Sequence, residues 1–127
     1  MIVPPRVAVV DDDHSVRKAL QRLLRTAQMD AEIYASAADF LIAIELRVPD
    51  CLVLDVRMPG MTGPELRRRL LVLGRRIPIV FITAHAEDFQ LEPVQPGETI
   101  DILHKPFGDE ALLASIRRCM QNPASDP

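Results

Sequence analysis

The sequence predicts an α/β domain built on a parallel sheet with helices on both faces. Three observations carry this. Four short apolar runs, Val7–Val10, Cys51–Leu54, Ile79–Ile82 and Ile100–Leu103, are mostly continuous rather than alternating, as in strands covered on both faces. Segments with apolar residues at helical spacing lie between them. Strands and helices alternate along the chain, an order that gives a parallel sheet with right-handed crossovers.

Taken in order, Val7–Val10 is the first strand. Val16, Leu20, Leu23, Leu24 and Ala27 then fall on one face of a helix. Ala31–Ala35 alternates more and reads as an edge strand. Ser36 with Asp39 resembles a capping box ahead of Phe40, Leu41 and Ile44. Pro49 introduces the strand at Cys51–Leu54. Leu66, Leu70 and Leu73 form the next apolar stripe, opened by Gly63-Pro64 and closed by Gly74. Pro78 introduces Ile79–Ile82. The segment 87–97 contains Pro93 and Pro96. Because an interior proline costs a helix ~3 kcal/mol, at most a short helix near residues 87–92 is expected there, followed by irregular chain. Ile100–Leu103 is the last strand. Leu112, Leu113, Ile116 and Met120 mark the last helix, with Asp109 near its N-cap.

Composition narrows the function. The chain has 127 residues, enough for one domain with a real core. Lys plus Arg number 15 and Asp plus Glu 18, for a net charge of −3, which argues against a domain that holds nucleic acid by charge. No apolar run approaches the ~18 residues of a membrane helix, and Met1–Pro5 has no features of a signal peptide. The two cysteines, Cys51 and Cys119, form no disulfide framework, and a reducing cytoplasm fits them. Proline is in excess, at 11 against 5 Gly. Residues 1–5 are expected to be a tail, 6–120 the domain, and 121–127 a tail or the start of a linker.

The chemistry sits where the strands end. The first strand runs into Asp11-Asp12-Asp13, the third into Asp55, the fourth into Thr83, and the last through His104 into Lys105-Pro106. In an open parallel sheet these ends share one edge, the ligand-binding edge of such folds. Each residue also has an ordinary structural reading, as a helix cap, a turn residue or a surface lysine; their joint placement decides against it. Carboxylates ~4 Å apart repel by ~4 kcal/mol at an effective dielectric of 20, so the cluster calls for a cation. Hard oxygen donors suit Mg²⁺. With a lysine to hold an anionic oxygen and a threonine hydroxyl, this is a site for phosphoryl chemistry.

These residues resemble those of the receiver domain of two-component response regulators. The resemblance rests on Val9-Val10-Asp11-Asp12-Asp13, on Leu54-Asp55-Val56-Arg57-Met58-Pro59-Gly60-Met61-Thr62-Gly63, on Ile82-Thr83-Ala84-His85 and on Lys105-Pro106-Phe107. It covers about residues 6–120 and looks like the branch with C-terminal DNA-binding effectors. It implies a single flavodoxin-like, doubly wound, five-stranded sheet of order 2-1-3-4-5, here with a short or irregular fourth helix. It implies that Asp55 accepts a phosphoryl group from a histidine kinase or phosphotransfer protein. Asp11, Asp12, Asp55 and the backbone carbonyl of Arg57 would hold Mg²⁺ (or Mn²⁺), with Asp13 as a further acid. Thr83 and Lys105 would bind phosphoryl oxygens. Ala84 leaves access to the phosphate, Arg57 and His85 tune hydrolysis, and the Lys105–Pro106 bond is cis. The domain would be a signalling module rather than a turnover enzyme.

Two departures stand out. The family's switch pairs the threonine with an aromatic residue three positions before the lysine, and here that residue is Ile102. The proline-broken fourth helix belongs to the face, made with strand 5 and helix 5, through which such domains form homodimers and pass on their signal. Two other readings therefore stand beside the main one. One is a degenerate receiver that binds without being phosphorylated. The other is a haloacid-dehalogenase-like phosphatase with its nucleophile in Asp11-Asp12-Asp13, which leaves the block from Asp55 to Gly63 unexplained. A metal site on His14, His85 and His104 matches no compact ligand spacing.

Overall fold

A computed structural model of the chain describes residues 3–85 and 90–121. Among the described residues nine elements follow one another: β1 (Arg6–Val10), α1 (His14–Thr26), β2 (Asp30–Tyr34), α2 (Ala37–Ala43), β3 (Cys51–Asp55), α3 (Gly63–Val72), β4 (Ile79–Thr83), β5 (Ile100–His104) and α4 (Asp109–Gln121). The five strands form one sheet in the order β2-β1-β3-β4-β5, and every pairing is parallel. This is the doubly wound arrangement expected from the alternation of strands and helices.

Successive side chains of the central strands alternate between two cores. Ala8, Val10, Leu52, Leu54, Ile79 and Phe81 pack against α2 and α3 through Phe40, Ile44, Leu66 and Leu70. Val7, Val9, Cys51, Val53, Val80 and Ile82 pack against α1 and α4 through Leu20, Leu24, Leu112 and Ile116. Burial on both faces explains the unbroken apolar runs. It also leaves polar chemistry only at the strand ends.

Local signals place the helices. Asp13 Oδ1 accepts from the backbone N–H of Ser15 (2.8 Å) and Val16 (3.2 Å) and so caps α1. Ser36 caps α2 through the Asp39 N–H. Thr62 and Glu65 form a reciprocal capping box on α3. Gly74, at φ +74°, ends α3 in the left-handed region that glycine enters without penalty. Asp109 lies in the first turn of α4, and the Gly108 carbonyl accepts the Leu112 N–H.

Between β4 and β5 the prolines prevail. Residues 86–89 lie outside the described residues, and with them half of the short helix expected near 87–92. Residues 90–99 contain no helix, only a turn at Pro96-Gly97. This connector is anchored by Arg67 of α3, 4% exposed. Its guanidinium grips the Glu98 carboxylate at 2.9 and 2.6 Å and donates to the carbonyls of Glu92 and Pro93, each at 2.9 Å. Asp101, the one acid within the last apolar run, accepts from Ser115 Oγ and from Arg118 Nη2 (3.0 Å), tying α4 to β5.

Candidate functional site

The carboxyl edge of the sheet gathers the residues that the sequence singles out. Register aligns the strand ends, with Val10 beside Leu54, Asp55 beside Ile82 and Thr83 beside His104. Backbone bonds continue past the strands: Val56 N–H to the Ile82 carbonyl (3.1 Å) and Lys105 N–H to the Thr83 carbonyl (2.9 Å). The Lys105–Pro106 bond is cis.

Carboxylate oxygens of Asp11, Asp12 and Asp55 all lie within 4.8 Å of one another. Asp11 is only 2% exposed, Asp55 is half-buried and Asp12 faces solvent. Asp11 Oδ1 accepts the Asp13 N–H at 2.9 Å. Asp11 Oδ2 is buried and has no hydrogen-bond partner. An oxygen in that position carries a desolvation cost of several kcal/mol unless a proton or cation meets it. Three hard oxygen donors with one orphaned lone pair fit a small divalent cation such as Mg²⁺. Asp13 is not one of the three; its Oδ1 caps α1.

The electrostatics agree. Burial pushes the Asp55 carboxyl up and the Asp11 charge adds to it; Lys105 and a hydrogen bond from the Arg57 N–H pull it back, and Asp12 raises it again. The outcome is about 6. Asp11 is also raised, by burial first, against the Asp13 N–H and Lys105. Crowded acids, partly dehydrated and with one lysine nearby, make Asp55 an unusually basic carboxylate.

Thr83 is 3% exposed at the end of β4, and its Oγ1 accepts the His85 N–H at 3.2 Å. Ala84 and His85 are exposed in the following loop, and Arg57 is exposed beyond β3. His14 and His104 are exposed, one in the first turn of α1 and one ending β5, and neither belongs to the acid cluster. Ile102 lies partway along β5 and packs against the core beneath α2 and α3. Two features went unread in the sequence. Gly63 presses against the backbone of Asp55, and Arg17 donates to the Asp11 carbonyl at 2.8 Å. An arginine one turn beyond the acid run was the available signal for the second.

A doubly wound sheet thus carries an acid cluster, a threonine and a lysine at its carboxyl edge. The family model of the response regulator receiver domain matches residues 7–117, and the chain belongs to that family. It is 37% identical over 116 residues to the response regulator protein TodT of Pseudomonas putida, covering 91% of this chain and 51% of TodT. The chain therefore spans about half the length of that relative. The solved structure of the response regulator StyR is 44% identical with a TM-score of 0.78, over 96% of this chain and 62% of that one. Full-length FixJ from B. japonicum is 32% identical with a TM-score of 0.81, over 99% and 61%. Among the described residues, no helix is long and apolar enough to cross a membrane.

Proposed function

We propose that Asp55 accepts a phosphoryl group from the phosphohistidine of a histidine kinase or phosphotransfer protein. The observation that carries this is the half-buried Asp55 carboxylate beside the buried, unpartnered Asp11 Oδ2. Asp55 attacks phosphorus, an O–P bond forms, the P–N bond breaks and the leaving imidazole keeps the electron pair. A carboxylate raised to about 6 is largely ionised at neutral pH yet more basic than an ordinary one.

Asp11, Asp12 and Asp55, with the Arg57 backbone carbonyl, would hold Mg²⁺ or Mn²⁺. When bound, the ion neutralises the acids and the charge that develops on the phosphoryl oxygens. Lys105 binds one phosphoryl oxygen. Thr83 donates its hydroxyl proton to another, since the contact to His85 uses only its lone pair. Ala84 leaves the phosphoryl group accessible, while Arg57 and His85 govern how a water reaches it. The added charge then biases the output face formed by the connector, β5 and α4. Ile102 belongs to β5, the strand that links site and face, and Pro106, cis after Lys105, lies just beyond its end.

We place the receiver at residues 6–120, with 1–5 a tail and 121–127 a tail or linker. A homodimer through the output face, a cytoplasmic location and DNA contact only through a C-terminal effector complete the proposal. It is supported by resemblance to proteins such as the DNA-binding transcriptional regulator NtrC of Escherichia coli.

The test is intact mass after incubation with Mg²⁺ and acetyl phosphate. A gain of about 80 Da, lost in Asp55→Asn, is the expected result. An adduct on Asp11 would favour the phosphatase reading instead. No adduct would favour the degenerate receiver, to which Ile102 and the non-helical connector point.

A further inference from the structure

We infer that Arg17 is a positioning residue for the cation site: by holding the main-chain carbonyl of Asp11, its guanidinium fixes where the carboxylates of Asp11 and Asp12 point. The inference rests on the proposed function, in which those two acids hold the ion.

The argument is an account of the polar groups of Asp11. Its N–H donates to the Tyr34 carbonyl at 3.2 Å. Its Oδ1 accepts the Asp13 N–H at 2.9 Å. Its carbonyl accepts Arg17 Nη1 at 2.8 Å. Oδ2 alone is unmet, in a residue 2% exposed. Three of the four groups are therefore locked, and the fourth is the one the ion needs. The lock on the carbonyl has a particular reach. It restrains the peptide plane between Asp11 and Asp12, so it sets the direction of both acids at once.

Arg17 is suited to this by its place and its shape. It stands one turn into α1, and its own N–H donates to the Asp13 carbonyl at 3.0 Å. The residue thus grips the acidic turn at both ends, Asp11 through the side chain and Asp13 through the backbone. The planar guanidinium offers a second donor, Nη2, which meets His14 Nδ1 at 3.4 Å. Two acceptors held by one rigid fork define the orientation of the group better than a single ammonium contact does. The positive charge goes to a carbonyl rather than to a carboxylate, so Arg17 does not occupy the ion's ligands. It does from outside what ligand-orienting partners do around bound metals.

The test compares Arg17→Ala and Arg17→Lys with the unaltered protein. Calorimetry gives the Mg²⁺ dissociation constant, thermal unfolding in EDTA gives the stability of the metal-free fold, and acetyl phosphate labelling is followed against Mg²⁺ concentration. Arg17→Ala is expected to weaken Mg²⁺ binding roughly 10-fold, with most of the labelling rate restored at saturating Mg²⁺. Arg17→Lys, with one donor able to reach the carbonyl, should fall between. A fall in unfolding temperature with Mg²⁺ affinity within about twofold of the parent would mean a structural role only, and would overturn the inference. If Arg17→Ala does not fold, Arg17→Gln is judged on the same affinity criterion. An unaltered protein that is labelled but shows no difference from the variants sinks the inference alone. One that neither binds Mg²⁺ nor is labelled sinks the proposed function with it.

Discussion

Gly63 sits against the main chain of Asp55. A Cβ at this position would stand 2.6 Å from the Asp55 carbonyl oxygen and 3.1 Å from the Val56 Cα, while the Gly63 N–H donates to the Val56 carbonyl at 3.0 Å. The first turn of α3 is thus laid on the backbone of Asp55. Gly63→Ala must push α3 and β3 apart, because both atoms it meets belong to the main chain. We expect a loss of about 1–3 kcal/mol in urea unfolding and a clear drop in acetyl phosphate labelling of Asp55. Labelling at the parent rate would show that α3 relaxes without disturbing the acceptor.

The Arg67–Glu98 pair joins α3 to residues 90–99 through a buried ionic contact. Arg67→Ala strands a buried carboxylate and leaves the carbonyls of Glu92 and Pro93 without that donor. The expected cost is about 3–5 kcal/mol, with faster amide exchange across residues 90–99. Glu98→Gln should cost less, about 1–3 kcal/mol. Burial pushes the Glu98 carboxyl up, but the Arg67 hydrogen bond, the Gln95 N–H and nearby charge hold it below its usual range. Its contribution is present above the ordinary carboxylate range and is lost as the pH falls through the lowered value. The gap between parent and Glu98→Gln should therefore close in acid.

Asp55 has the opposite sign. Its folded value, about 6, lies above the ordinary carboxylate value of 3.8. The stabilisation from its neutral form is present below pH ~4 and lost as the pH rises through ~6. Without Mg²⁺, Asp55→Asn should unfold later than the parent at pH 8, by on the order of 1–2 kcal/mol after solvent screening. Near pH 4 the two should converge. Added Mg²⁺ should stabilise the parent more at pH 8 than at pH 5, as thermal unfolding can measure.

Asp12 and Asp13 are neighbours with different work. Asp13→Ala removes the cap of α1 and should cost about 1 kcal/mol of stability, with Mg²⁺ affinity little changed. Asp12→Asn removes a charge from the acid cluster and should weaken Mg²⁺ binding severely at almost no cost in metal-free stability. Calorimetry on the two variants separates them. Strong loss of Mg²⁺ binding in Asp13→Ala would make that residue a ligand as well.

Much of this domain was legible in the chain because two-sided burial writes itself as uninterrupted β-branched runs, and because the candidate site residues follow those runs directly. Asp11, Asp12, Asp55, Thr83 and Lys105 could be placed on one edge from topology alone. What the sequence hid was pairwise. Nothing local distinguishes Asp13, a cap, from Asp12, since both follow the same strand. Arg67 reads as one of three surface arginines, and its burial depends on a carboxylate 31 positions away. Gly63 reads as a helix-start signal, and its contact with Asp55 needs the folded crossover. Pro93 and Pro96 did announce the irregular chain at residues 90–99, although not what would hold it in place.

That anchoring sets a limit on exchange between relatives. Helix α3 and the connector are complementary halves of one joint, with the donor in one and all of its acceptors in the other. A hybrid that receives an ordinary amphipathic helix in place of residues 90–99 would inherit an arginine pointing into its new interface with nothing to receive it. The reverse graft, this connector on an α3 with leucine at position 67, would leave Glu98 and two carbonyls facing hydrocarbon. The two segments are therefore transferable only together, and the exchangeable unit of this domain is the pair rather than either element.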